Sequence, residues 1–332
     1  MQNTVLILGA RGRFGWATAR AFADAGWRVL GQMRPGAKAP ADERIRWLDI
    51  DPYHAETLAA AASGAEVVVH GLNPRYTHAA WRAEAMPMLD AAIAVARALG
   101  ATLMLPGNVY NFGTGMPALL RVDTPQHPDT VKGRIRVEME QQLRLADVRG
   151  VVIRAGDFFG AGRGSWFDLA LARNLHRGIC TYPGPTDVAT AWAYLPDLAR
   201  AFVAVAERRA RLARFEVLHF AGYSVTGRQW AQALEPVARE RKWIAPTEHL
   251  KLRRLPWAMI RLGAGLNPMW GALAEMRYLW NTPHGLANER LCALIGPEPH
   301  RPLAQAARAA LADLGLIPAR DAGPTTSPLP LP

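Results

Sequence analysis

Residues 5–15 read Val5-Leu6-Ile7-Leu8-Gly9-Ala10-Arg11-Gly12-Arg13-Phe14-Gly15. A short continuous apolar run is typical of a parallel strand that is buried on both faces, and apolar positions at helical spacing follow it. Gly9 allows a tight turn, Gly12 lets the backbone approach a diphosphate, and Gly15 lets the helix pack closely on the strand. Because amides at a helix N-terminus attract phosphate, this stretch predicts a dinucleotide-binding Rossmann unit.

Strands and helices alternate along most of the remaining sequence. Apolar runs predict six further strands, at 27–33, 45–50, 67–71, 102–105, 151–154 and 215–220, with helices between them. Such alternation is typical of βαβ units in a doubly wound parallel sheet. From about Leu250 the chain is rich in Trp, Met and Leu and is broken by prolines. The sequence therefore predicts an α/β protein with a smaller, mainly helical C-terminal substrate region.

These patterns also predict how the chain is divided. We expect a Rossmann domain at 1–155, to whose sheet a seventh strand at about 215–222 returns. Residues 156–316 are predicted to form mainly the substrate-binding region. Residues 317–332 are rich in Gly, Pro, Ser and Thr and are predicted to be a disordered tail.

Composition excludes several classes of protein. The 39 Lys and Arg residues against 28 Asp and Glu give a net charge of +11, but the arginines are spread along the chain, which disfavours nucleic-acid binding. No apolar run approaches the roughly 18 residues of a transmembrane helix, and the start lacks the basic region of a signal peptide, so we expect a cytoplasmic protein. The two cysteines, Cys180 and Cys292, predict neither a disulfide framework nor a metal site. A small molecule is the expected partner.

The end of the second strand bears on the choice of dinucleotide. An NAD site usually has an acidic residue there, whereas this strand reads Val29-Leu30-Gly31-Gln32-Met33-Arg34. A guanidinium at Arg34 suits a 2′-phosphate in charge and geometry, and Arg11 and Arg13 add positive charge in the glycine turn. NADP is therefore favoured over NAD, with a solvated charge at the strand end as the other interpretation of Arg34.

These motifs together resemble the extended short-chain dehydrogenase/reductase family, also called the NAD-dependent epimerase/dehydratase family. The Gly-x-x-Gly-x-x-Gly spacing matches it, residues 103–113 resemble its fifth strand and following turn, and residues 154–160 match its Arg-Pro-x-x-x-Tyr-Gly pattern. The resemblance covers about residues 4–316 and implies a homodimer as one assembly. With the glycine turn and Arg34, it implies a cofactor site formed by Gly9, Arg11, Gly12, Arg13, Phe14, Gly15, Arg34, Asp49, Ile50, Gly71, Leu72, Asn73, Arg134, Ala155, Gly156 and Asp157.

The catalytic residues of the family are not found in their usual form. The family uses a Ser or Thr after strand five and a Tyr-x-x-x-Lys pair on the next helix, with a glutamate four residues after the lysine. Taking Glu138 as that glutamate places Arg134 at the lysine, Thr130 at the tyrosine and Asn108 at the serine. Threonine is a far weaker proton donor than a phenol, and arginine does not titrate.

Three interpretations follow from this departure. Another residue transfers the proton, Tyr110 and Lys132 being the nearest in sequence; the substrate needs little acid catalysis; or the protein binds NADP without turnover. We therefore expect an NADP-dependent oxidoreductase or epimerase-like enzyme acting on a small, apolar molecule. The alternative is a non-catalytic NADP-binding redox sensor or partner-binding protein. The C-terminal Trp and Met residues fit a plain core, a lid over an apolar substrate or a surface that rests on a membrane.

Overall fold

A computed structural model describes residues 2–263 and 268–319. Its strands are β1 (Thr4–Leu8), β2 (Arg28–Met33), β3 (Ile45–Asp49), β4 (Val67–His70), β5 (Thr102–Gly107), β6 (Leu119–Leu120), β7 (Gly150–Arg154), β8 (Asp157–Phe159), β9 (Ile179–Tyr182), β10 (Thr190–Tyr194), β11 (Phe215–His219), β12 (Tyr223–Val225), β13 (Lys251–Arg254) and β14 (Gly285–Leu286). Its α-helices are α1 (Arg13–Asp24), α2 (Ala55–Ala61), α3 (His78–Leu99), α4 (Val131–Leu145), α5 (Leu195–Glu207), α6 (Gly227–Glu240), α7 (Trp257–Leu262), α8 (Pro268–Glu275), α9 (Tyr278–Asn281), α10 (Glu289–Ile295) and α11 (Leu303–Asp313).

Seven parallel strands form the central sheet. Their order is β11-β7-β5-β4-β1-β2-β3, so the chain runs outward to one edge, returns to the centre and continues to the other edge. Each of the seven strands predicted from the sequence is present, with ends that differ by two residues or fewer. The predicted doubly wound parallel sheet is confirmed.

The sheet is covered by helices on both faces. Val5 and Ile7 of β1 belong to a core with α1 and α5, whereas Leu6 and Leu8 belong to a core with α2, α3 and α4. Alternate residues of a strand point to opposite faces, so a four-residue apolar run fills both cores. Because the strands themselves carry apolar side chains on both faces, the polar groups of the site lie beyond the carboxyl ends of the strands.

The predicted substrate-binding region contains more strands than the sequence suggested. A three-stranded sheet, β12-β10-β8, packs with α6 and α11 around an aromatic core, while β13 pairs with β9 and β14 pairs with β6. The helical C-terminal region is confirmed, but β13 and β14 were not predicted. They are two to four residues long and pair with strands more than seventy residues away, so no local pattern marks them.

The end of the described chain remains packed. Ile317 is buried in the aromatic core, although it falls in the predicted disordered tail. Residues 320–332 of that tail lie outside the described residues. None of the described helices combines the length and the apolar character needed to cross a bilayer.

Candidate cofactor site and catalytic cleft

The glycine turn lies directly against the end of β4. Gly9 has a φ of +65°, and a Cβ there would lie 2.9 Å from the carbonyl oxygen of Gly71. A Cβ on Gly15 would collide with the carbonyl oxygen of Gly9, and the Gly12 amide donates to that same oxygen at 2.9 Å. Only glycine fits at positions 9 and 15, because the backbone occupies the space of a side chain.

The N-terminus of α1 has no side-chain cap. Gly12 is the N-cap residue and the first turn contains no acidic residue, whereas Thr77, Thr130 and Thr226 cap α3, α4 and α6. The first amides of a helix have no partner within the helix, so those of α1 remain available to an acceptor from outside. Uncapped amides beside a glycine cradle fit a diphosphate.

A neutral side chain holds the end of β2. The amide of Gln32 is almost fully buried: its Oε1 accepts from the Gly9 amide at 2.9 Å, and its Nε2 donates to the carbonyls of Met33 and Ile50, both at 2.8 Å. Arg34 follows it and is exposed. Asp49, at the end of β3, accepts from the Gly36 amide at 3.0 Å and so stabilises the loop after β2.

The two arginine side chains of the glycine turn point in different directions. Arg11 is exposed, whereas Arg13 extends towards β8, where its Nη2 donates to the carbonyl of Phe158 at 3.1 Å. Burial lowers the pKa of Arg13 to about 10, against the opposing charges of Asp168 and Asp157. Arg13 thus brings a positive charge to the segment that follows β7.

The other residues of the predicted cofactor site have more structural surroundings. The ring of Phe14 packs edge-on against Phe202 in the core, so only its backbone can face a ligand. After β4, Leu72 is half-buried and Asn73 is exposed, and the Asn73 amide donates to the Pro74 carbonyl at 3.1 Å. Between β7 and β8, Ala155 is buried and a Cβ on Gly156 would strike the backbone of β10.

The residues of α4 that face the cleft differ from those predicted from the sequence. Thr130 is the N-cap, and its hydroxyl accepts from the Gly133 amide at 3.0 Å. Arg134 is exposed and donates to the Asp129 carbonyl at 3.1 Å, outside the cleft. Lys132 and Arg136 instead point inward, so Thr130 and Arg134 are not brought to the cleft.

A buried ion pair fixes α4 against β7. Arg154 donates to Glu140 through Nη2 at 2.6 Å and through Nε at 3.0 Å, and Asn111 donates to the same carboxylate at 3.0 Å. Glu138, by contrast, is exposed. The glutamate that binds α4 to β7 is therefore Glu140, which lies four residues after Arg136, and not Glu138.

Lys132 is completely enclosed. Its Nζ lies 4.0 Å from the Glu275 carboxylate, 3.5 Å from the Ala272 carbonyl and 4.3 Å from the centre of the Tyr76 ring. Burial lowers the pKa of Lys132 to about 8, and the nearby charge of Glu275 opposes that shift. The charged ammonium of Lys132 is thus buried, and its nearest carboxylate oxygen is 4.0 Å away.

Glu275 joins the C-terminal region to the Rossmann domain. Its Oε1 accepts from the Val131 amide at 2.8 Å, and its Oε2 lies 2.9 Å from Nε2 of His78. Val131 opens α4 and His78 opens α3, so one carboxylate holds α8 over the N-termini of both helices. This contact closes the cleft above Lys132.

Two phenols and a carboxylate complete the cleft. The phenols of Tyr76 and Tyr110 lie close enough to influence each other's ionisation, and burial raises the pKa of Tyr110 to about 12. Burial raises the pKa of Asp157 to about 7, against the opposing charge of Arg13. The Asn108 side chain accepts from the Tyr110 amide at 3.0 Å and so shapes the turn that carries this phenol.

Arg136 reaches the end of β5. Its Nη1 donates to the Pro106 carbonyl at 3.2 Å, and its guanidinium lies 5.1 Å from the centre of the Trp81 ring. Burial lowers its pKa, while Tyr110 and Glu140 oppose that shift. An arginine so placed can hold a hydroxyl or a phosphate but does not exchange a proton.

Sequence reasoning missed three residues of this cleft. Tyr76 lies three residues after Asn73, the last residue predicted for the site after β4. Arg136 lies two residues after Arg134, which the alignment on Glu138 placed at the lysine position. Glu275 had a visible signal, because it is the only acidic residue between Glu248 and Glu289. Tyr110, Lys132 and Asp157 were named from the sequence, and the structure brings them to one cleft. Among the described residues, no group of His, Cys, Asp or Glu side chains could hold a metal ion.

Comparison with known proteins places the chain in a family. The RmlD substrate binding domain matches residues 3–252. The 3-diazoavenalumate denitrifying reductase of Streptomyces sp. is 28% identical over 224 residues, which cover 62% of this chain and 73% of that protein. The enzyme WbmH of Bordetella bronchiseptica, solved in complex with NAD+, superposes with a TM-score of 0.70 at 16% identity, covering 94% of this chain and 98% of that one. L-Threonine 3-dehydrogenase of Trypanosoma brucei gives a TM-score of 0.69 at 17% identity, covering 94% and 97%. The resemblance seen in the sequence is confirmed.

Proposed function

Because the chain belongs to the RmlD substrate binding domain family, we propose that it is an NADP-dependent reductase of a small, largely apolar molecule. Lys132 is its proton donor in place of a tyrosine. The observation that carries this proposal is a fully enclosed lysine, with its pKa lowered to about 8, beside the Tyr76 phenol at the carboxyl ends of the strands. Ligands of doubly wound sheets bind at those ends.

The glycine turn and the end of β2 support the cofactor. The uncapped amides of α1 fit the diphosphate, Arg34 is exposed where an NAD site would carry a carboxylate, and Arg11 is exposed in the glycine turn. Bound nicotinamide would supply a hydride to the substrate. The WbmH structure contains NAD+, so the preference for NADP depends on the two arginines.

The spacing on α4 supports a new register for the catalytic residues. Lys132, Arg136 and Glu140 follow one another at intervals of four, and all three turn inward. This matches the order tyrosine, lysine, glutamate of the related enzymes when Glu140 replaces Glu138 as the reference. Lys132 then stands at the tyrosine position and Arg136 at the lysine position, and Thr130 and Arg134 have no catalytic role.

Proton transfer in this arrangement falls to the lysine. A phenol with a pKa of about 12 is a poor acid at neutral pH, whereas an ammonium with a pKa of about 8 is charged and releases its proton readily. When a carbonyl-like acceptor is reduced, its oxygen takes a proton from Nζ, and Lys132 regains one from solvent when the cleft opens for product release. The pair of Tyr110 and Tyr76 would orient that oxygen, and Arg136 would hold the nearby ribose.

The apolar core packed beside the cleft supports an apolar substrate. One core cluster unites residues after β5 with residues of the C-terminal region: Val109, Phe112, Met116, Leu120, Met276, Leu279 and Leu286, with Tyr76, Tyr110 and Tyr278 packed against them. A relative of this chain is named as a reductase, which favours reduction over epimerisation.

Turnover by three proteins tests this function. The wild type is assayed for NADPH consumption with a panel of aromatic aldehydes and ketones, and Lys132→Met and Tyr110→Phe are compared on the best acceptor. Loss of a general acid lowers kcat/KM by about 10²–10⁴-fold, and we expect that loss in Lys132→Met while NADPH affinity stays unchanged.

Arg134→Met is the matched comparison, since it removes a charge from the exposed side of the same helix. The register taken from Glu138 requires this variant to fail and Lys132→Met to remain active. Tight NADPH binding without turnover of any acceptor would reject the reductase and leave a non-catalytic NADP-binding protein.

A further inference from the structure

Exposed apolar side chains are concentrated on two neighbouring helices. Met259 and Leu262 of α7 are 67% and 88% exposed, and Trp270 of α8 is 37% exposed. With Met269, they account for half of the eight large apolar residues that are exposed among the described residues. We call the surface formed by Met259, Leu262 and Trp270 the apolar patch.

The helices hold this patch outward by firm contacts on their inner side. In α7, Met259 and Leu262 are three residues apart and share a face. The opposite face carries Trp257, which is buried and donates from its indole to the Pro183 carbonyl. The ring of Trp270 lies against Gly263, at the end of α7. The packed contacts of Trp257 and Trp270 fix the two helices, and the apolar side chains on the opposite face of α7 are thereby held towards solvent.

The segment that carries the patch is rich in basic residues and contains no acidic residue. The sequence from 249 to 274 contains Lys251, Arg253, Arg254 and Arg261 but no Asp or Glu. All four cationic side chains are exposed, and none forms an ion pair within the described residues. Elsewhere exposed arginines often pair with acids, as Arg44 does with Asp24 and Asp42.

We propose that the apolar patch and its four cations form a docking surface for an anionic lipid bilayer. Amphipathic helices with Lys and Arg beside Trp, Leu and Met lie in the headgroup region, and each cation near such a surface adds attraction. A water-soluble protein partner would have to satisfy four unpaired cations and apolar side chains together, which an anionic interface does without specific pairing.

The position of the patch connects it with the cleft. Trp270 lies in the first half of α8 and Glu275 ends the same helix, where it contacts Val131 above Lys132. An eight-residue helix is about 12 Å long, so docking brings the cleft to within about one helix length of the lipid. The docking proposal does not depend on the proposed reductase activity.

Sedimentation with vesicles tests the docking surface. Vesicles of phosphatidylcholine alone are compared with vesicles that contain about one third phosphatidylglycerol, at low and at high salt. We expect at least about tenfold stronger partitioning to the anionic vesicles, and a decrease with added salt. Arg253→Glu with Arg254→Glu should remove this preference, and Leu262→Asp should weaken binding about tenfold.

Matched controls carry the same changes elsewhere on the surface. Leu145→Asp alters an exposed leucine of α4, and Arg28→Glu with Arg211→Glu reverses two exposed charges outside the patch. These controls should bind like the wild type, and circular dichroism verifies that every variant is folded. Equal partitioning to neutral and anionic vesicles, no partitioning, or equal losses in patch and control variants would overturn the proposal. So would self-association that the patch variants abolish without any binding to lipid.

Discussion

Replacing Lys132 by Met should make the protein more stable at neutral pH while removing its activity. Methionine has a similar length and no charge, so it fills the enclosed space below α8 without leaving a cavity. The lysine is fully buried, and its nearest carboxylate oxygen, on Glu275, is 4.0 Å away. Most of its charge is therefore compensated neither by water nor by a close ion pair.

The magnitude follows from the titration of the side chain. Lowering the pKa of Lys132 from 10.5 to about 8 corresponds to about 3 kcal/mol of folding free energy that the charged form gives up at neutral pH. The ammonium also lies 4.3 Å from the centre of the Tyr76 ring, and this contact favours the charged form, so its contribution is already contained in the shifted pKa. The net gain of Lys132→Met is therefore up to about 3 kcal/mol at pH 7.

The pH dependence has a definite sign. Between about pH 8 and pH 10.5 the unfolded chain keeps the proton that the folded protein has lost, so the lysine makes the wild type more stable as pH rises through this window. The substituted protein lacks this gain. Its advantage should thus be full below pH 8 and should disappear towards pH 10.5.

Urea unfolding at pH 7 and pH 10, without cofactor, measures both effects. Lys38→Met, at an exposed lysine, is the matched control and should change stability by less than about 0.5 kcal/mol. A destabilised Lys132→Met protein would refute the reasoning. So would a stability difference of the same size at both pH values, because the gain must come from the charge of the folded lysine.

Three further predictions concern other parts of the site. Arg34→Ala should weaken NADPH binding by about 1.5–3 kcal/mol, or roughly ten- to hundredfold, and leave NADH binding unchanged, as calorimetry would show; an equal loss for both cofactors contradicts the 2′-phosphate contact. Glu140→Gln should cost about 3–5 kcal/mol in urea unfolding because it leaves a buried guanidinium without its charged partner, whereas Glu138→Gln should be neutral; the reverse order would restore the register based on Glu138. Glu275→Gln should lower the pKa of the buried lysine further, because its charge opposes the shift, so the alkaline decline of kcat/KM should move to lower pH; an unchanged profile would exclude this coupling.

The central sheet could be predicted because its signal is local. Strands buried on both faces are short apolar runs, and Val67-Val68-Val69 is such a run between turn residues. The strands β13 and β14 could not be predicted in this way, since each exists only through pairing with a distant partner. The glycine turn was also readable, because the need for glycine arises from contacts within one strand–turn–helix unit and with the next strand.

The inward face of α4 was only partly predictable from the sequence, and one signal was overlooked. Ile135, Met139 and Leu143 form an apolar row on the buried side of this helix. At about 100° per residue, Lys132 lies about 20° from the centre of that row and Arg134 about 140° from it. Helical periodicity thus placed the lysine inside and the arginine outside, although the match to Glu138 suggested otherwise. No periodicity, however, could show that Glu275 would meet Lys132 from another region of the chain.

Lys132, which we propose to be functional, and Arg154, which is structural, are both buried charges but differ in how they are satisfied. Arg154 is equally buried, but Glu140 binds it through two hydrogen bonds, so its charge is satisfied and helps to position α4 on β7. Lys132 has one long bond to a carbonyl and a carboxylate at 4.0 Å. A buried charge left incompletely satisfied lowers stability, and such local conflicts are typical of sites where the chemistry requires them. Lys132 is therefore the residue at which stability and activity should respond in opposite directions, whereas the loss of Arg154 should lower both.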